Sequence, residues 1–121
     1  IEACLPGITL PQKFYHVIIS NSLLHHLHDP FVLWQTIQQH AKPFAHVFVM
    51  DLMRPESEQQ AQQFMECYAV NEPPILQQDF YNSLLAAFTP DEVQQQLDDV
   101  GLNGLEVEVV SDRHMVVSGQ L

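Results

Sequence analysis

The chain has 121 residues, 46% hydrophobic and 16% charged, a composition that suits one globular domain and not a disordered segment. Four Lys and Arg stand against fifteen Asp and Glu, for a formal net charge of −11. Lys13, Lys42, Arg54 and Arg113 are too dispersed to form a basic patch, so nucleic acid and anionic membranes are poor partners.

No apolar run approaches the ~20 residues of a membrane span and no signal-peptide pattern is present, so a cytoplasmic location is expected. The glycines Gly7, Gly101, Gly104 and Gly119 are too scattered for a phosphate-cradling G-x-G-x-x-G loop. Cys4 and Cys67 lack C-x-x-C spacing and read as two free thiols.

In chain order, Ile1 to Leu5 is a short apolar stretch closed by Pro6-Gly7, which predicts a strand and a turn. Tyr15 to Ser20 is rich in β-branched residues and predicts a buried strand of the parallel-sheet kind. Asp29-Pro30 marks a helix start, Leu33, Trp34, Ile37 and Ala41 follow at helical spacing, and Lys42-Pro43 ends the run. His46 to Asp51 predicts a second buried strand. Glu56 to Val70 sets Ala61, Phe64, Met65 and Tyr68 on one face, as in an amphipathic helix, and Asn71 to Pro74 breaks it. Asp79 to Phe88 predicts another short helix. Thr89-Pro90-Asp91-Glu92 is a capping box, so a helix runs from there to about Val100 and stops at Gly101. Leu105 to Val110 alternates apolar and acidic residues, Ser111 to Arg113 turns, and His114 to Ser118 returns. A turn that tight makes the last two strands antiparallel. The pattern is α/β: a parallel sheet with helices on its faces and an antiparallel hairpin at its C-terminal end.

Ligands of open α/β sheets bind beyond the carboxyl ends of the strands. Two such ends are visible, Ser20-Asn21-Ser22 and Asp51 to Arg54. Asn21 carries both a donor and an acceptor for a ligand, and equally suits a turn or cap. Asp51 and Arg54 suggest a surface pair. The cluster His25-His26-Leu27-His28-Asp29 has metal-ligand chemistry, but no second cluster supplies the remaining ligands and Asp29 is better used as a cap. A neutral His beside a cleft is the other use of this segment.

Tyr15 to Pro30, with its Ser-Asn-Ser-Leu-Leu-His-His-Leu-His-Asp-Pro run, resembles the fourth-strand segment of class I S-adenosylmethionine-dependent methyltransferases. In that family the pattern is roughly F-D-x-V-x-S-x-x-x-L-H-H-L-x-D-P. Ala41-Lys-Pro43 is similar to the L-K-P before the fifth strand, and Val47 to Asp51 resembles that strand. Phe88 to Val93 with Val100-Gly-Leu102 resembles the late helix, and Leu105 to Gly119 the closing strand pair. The departures are His16 for the Asp of F-D-x-V, Pro43-Phe44-Ala45 for the turn P-G-G, and Pro6 where an acid touches the adenine side.

The resemblance implies a partial Rossmann-like methyltransferase sheet, residues 1–121 being a single domain equivalent to the C-terminal half of the fold. The glycine-rich cofactor loop and the ribose-binding acid would lie before Ile1. It implies S-adenosylmethionine as cofactor, a small-molecule substrate, Ser20 and Asn21 at the cofactor, and His25 or His26 as catalytic base. The chain alone is expected to be incomplete for cofactor binding and inactive, and to form a homodimer through an exposed sheet edge at Tyr15 to Ser20. A non-catalytic interaction or dimerisation module and a His-cluster metal domain are the alternatives.

Overall fold

The computed structural model describes residues 15–121. The strand and turn expected over Ile1 to Gly7 lie outside them. Tyr15–Asn21 forms β1, where branching at Cβ of Val17, Ile18 and Ile19 favours the pleated backbone. A 3-10 turn at Leu24–His26 follows, then α1 at Phe31–His40. Asp29 Oδ1 accepts from the Phe31 N–H at 3.0 Å, so this residue does satisfy the helix start.

β2 runs Ala41–Leu52, longer than the sequence pattern predicts. Its first turn-like residues pair irregularly: Tyr15 sits opposite Ala41, but Val17 already sits opposite His46. Pro43 has no N–H to give and Phe44 lies at φ 62°, so the ladder bulges there before it becomes regular.

α2 spans Glu58–Tyr68, capped by Ser57, whose hydroxyl accepts from the Gln60 N–H. α3 spans Pro74–Ala86 and so begins five residues before the expected Asp79. α4 spans Pro90–Val100 with the capping box formed in both directions between Thr89 and Glu92. Gly101 closes it at φ 78°, a conformation that costs a side chain and suits glycine. β3 (Leu105–Val109) and β4 (His114–Gln120) form the antiparallel hairpin.

The sheet order is β1-β2-β4-β3, with β1 and β2 parallel and β4 antiparallel to both its neighbours. One face is sealed by α1 and α4. There Val47, Val49, Met115 and Val117 meet Trp34, Ile37, Val93 and Leu97. Trp34 Nε1 donates to Gln96 Oε1 at 2.8 Å, giving the indole N–H a partner inside this core. On the opposite face Leu52 packs with Ala61 of α2, Leu84 of α3 and Ala87. The rest of that face is an open apolar groove of about 620 Å³ lined by Val17, Ile19, His46, Phe48, Ser118 and Gln120. No helix among the described residues is long and apolar enough to cross a membrane.

Candidate active site

Because β1 and β2 are parallel neighbours, the segments leaving them emerge at one edge of the sheet. Ser20 lies opposite Val49 and Asn21 opposite Met50, so the chain beyond β1 meets Asp51. At Ser22 the backbone turns through φ 59°, held by its N–H donating to the Met50 carbonyl at 2.9 Å. That left-handed turn reverses the chain into the 3-10 turn. Ser22 Oγ donates to Asn21 Oδ1 at 3.1 Å, and both residues are exposed. Ser20 Oγ differs from them: it is the one buried side-chain polar atom without a partner among the described residues. An orphaned hydroxyl at the carboxyl edge is a place for a ligand's hydrogen bond.

Asp51 is 1% exposed and gathers three groups from this edge. Its Oδ2 accepts from the Leu24 N–H at 2.7 Å, and its Oδ1 accepts from the Leu52 N–H at 2.8 Å. His25 Nδ1 stands 2.5 Å from Oδ1, with both side chains buried. A carboxylate is acceptor-only, so the ring donates from Nδ1. Burial of a carboxylate is tolerated here because every contact it makes is a donor.

Asp51 therefore has no part in the surface pair suggested with Arg54. Arg54 instead meets Glu92 at 2.9 Å. The reason is strand parity: Asp51 faces the core side with Val47 and Val49, while Arg54 lies past the end of β2, beside the start of α4. The Thr89 N–H, and secondarily Arg54, hold the Glu92 carboxyl below its usual range.

The histidines separate. His25 is buried; His26 is exposed, its ring 4.0 Å from that of His25, and His28 is exposed. Among the described residues no group of three or more His, Cys, Asp or Glu is arranged to hold a metal ion. His114 faces Leu52 across the ladder, and burial, with Arg113 next, pushes its imidazole below the usual value of 6.5. Of these groups, sequence reasoning singled out Ser20, Asn21, His25 and His26 but not the role of Asp51. The signal was present: an acid ending an apolar strand parallel to a strand that leads into His25.

A family model described as a methyltransferase domain matches residues 2–107. No curated protein matches the chain. Among solved structures, a SAM-dependent methyltransferase from Aquifex aeolicus is 20% identical with a TM-score of 0.60, over 99% of this chain and 53% of that one. The plantazolicin methyltransferase BpumL, in complex with SAH, is 10% identical with a TM-score of 0.66, over 94% of this chain and 55% of that one. A second BpumL structure, with a monoazolic desmethylPZN analog and SAH, gives a TM-score of 0.64 at 10% identity, covering 94% and 54%. The chain thus spans about half the length of the solved structures it matches.

Proposed function

The chain belongs to the methyltransferase-domain family, and from that premise we propose that the carboxyl edge of β1 and β2 is the methyl-acceptor side of an S-adenosylmethionine-dependent methyltransferase acting on a small molecule. The observation that carries this reading is the convergence at one edge of Ser20, with its unpartnered hydroxyl, and the buried His25–Asp51 pair. The net charge of −11 favours a small acceptor over a nucleic acid.

The residues at this edge fit the cofactor in part. Ser20 Oγ has no partner among the described residues and Asn21 is exposed, its Oδ1 bonded only to Ser22 Oγ, so both suit a polar ligand; Gly101, Gly104 and Gly119 lie at the end of α4 and along the hairpin, away from this edge. When bound, S-adenosylmethionine supplies an electrophilic methyl group. This chain's residues would hold its near side at Ser20 and Asn21, align an acceptor beside it, and take up the acceptor's proton at His25, with His26 forming the outer wall.

We further read residues 1–121 as the C-terminal half of the fold, incomplete for cofactor binding alone and paired with a second copy through the free edge of β1. A dimerisation module is the second reading, favoured by the exposure of Val17 and Ile19 on that edge strand. Chemical-shift mapping separates the two. S-adenosylmethionine at millimolar concentration should shift the amides of Ser20 to His25 without saturating. Shifts elsewhere, or none, would remove the methyltransferase assignment of this edge.

A further inference from the structure

We infer that Asp51 is a positioning residue: it holds His25 with the proton on Nδ1 and leaves Nε2 as the atom that receives the acceptor's proton, an inference that rests on the reading of this edge as the acceptor side. Neutral imidazole in water interconverts between two tautomers, and the bond made by one nitrogen decides which is present. Here Asp51 is also held independently of the ring. Two backbone N–H groups, from Leu24 and Leu52, already orient its carboxylate from opposite segments. His25 Nδ1 completes the set at 2.5 Å. Nε2 makes no hydrogen bond among the described residues and is not one of their buried, unpartnered atoms, so it is not fully enclosed.

The chemistry needs this arrangement. The acceptor's X–H bond breaks toward Nε2 as its heteroatom bonds the methyl carbon, whose bond to sulfur breaks with the electron pair left on sulfur. The positive charge lost at sulfur is the one gained by the ring. It appears on an imidazolium facing the Asp51 carboxylate, at a distance where a buried charge pair is strongly favourable. A ring in the other tautomer would present an N–H to the acceptor and have no lone pair to offer.

Nitrogen NMR of the side chain tests this without cofactor or acceptor. At about pH 8.5, well above the ordinary imidazole range, His25 should show Nδ1 protonated and Nε2 with the downfield shift of a lone-pair nitrogen. Asp51→Ala removes the acceptor that faces Nδ1, and in the variant Nδ1 should no longer be the ring's single protonated nitrogen. A ring protonated on Nε2, or on both nitrogens, in the wild-type protein overturns the inference. Diethyl pyrocarbonate separates positioning from a merely structural tie, and does not require the variant to fold. His25 should be carbethoxylated measurably, though more slowly than exposed His28, because the ring is buried while Nε2 stays unbonded. Complete protection of His25 would make the pair structural and overturn the inference. Should the tautomer hold while S-adenosylmethionine shifts nothing at Ser20 to His25, the assignment of the edge fails and the tautomer stands; the reverse outcome removes only Asp51.

Discussion

On the side of the sheet covered by α1 and α4, Val47, Val49, Met115, Val117, Trp34, Ile37, Val93 and Leu97 are each at most 3% exposed, whereas on the other side Val17 and Ile19 stand 55% and 71% exposed. Both faces are built from the same kinds of residue on the same strands. The difference is what lies over them: α1 and α4 packed on β2 and β4 on one side, and on the other α2 and α3, which pack at the end near Leu52. Parallel strands are ordinarily covered on both faces, and among the described residues the groove beside β1 departs from that rule. The face that holds the core is therefore separate from the face left exposed among the described residues.

The largest expected effect falls on the sealed face. Trp34→Ala removes a fully buried indole and strands the Gln96 side chain, and should cost about 3–5 kcal/mol in denaturant unfolding. A cost no greater than that of a surface change would mean that α1 does not seal the sheet as described.

On the open face, Ile19→Lys should change stability by no more than about 0.5 kcal/mol, because its side chain packs against little. It should still abolish self-association. Light scattering of the wild-type chain is expected to exceed the 13.9 kDa of one copy as concentration rises, and the variant to remain at that mass. A wild-type chain that stays monomeric throughout would refute pairing through β1.

A smaller effect sharpens the contrast at the shared end of the sheet. The folded-state pKa of His114 is depressed, chiefly by burial, below its ordinary 6.5. Above that value the ring is neutral folded or unfolded and nothing is lost. As pH falls below it the unfolded chain binds the proton first, so stability declines toward the folded pKa. The thermal midpoint should fall as pH drops below the ordinary imidazole value of 6.5, and His114→Gln should flatten that slope. Asp112 is depressed as well, first by the Tyr68 hydroxyl, but from 3.8, so it acts at lower pH.

The elements were largely legible in the residue pattern but the burial was not, since Tyr15 to Ser20 reads as a buried strand while no residue of β1 is buried among the described residues. The β-branched run over Tyr15 to Ser20, the Thr89 capping box and the Gly101 stop each act within a few residues, and local patterns record local physics. α3 was legible only in its second half. Ile75 and Leu76 in its first turns are 71% and 48% exposed, so no buried periodicity announces them, although Pro74 at the first helical position is itself a start signal. At the site, His25 was visible as a titratable side chain near a strand end. Its partner was not, because Asp51 lies 26 residues on, and only the parallel register of β1 and β2 brings the two together. The Trp34–Gln96 bond, 62 residues apart, was invisible for the same reason.

The central proposal is that the carboxyl edge of β1 and β2 is one part of a cofactor site and that residues 1–121 alone do not bind the cofactor tightly. Isothermal titration of S-adenosylmethionine into the isolated chain tests it most directly. The account predicts no saturable heat at micromolar concentration. Micromolar binding at one cofactor per chain would contradict it.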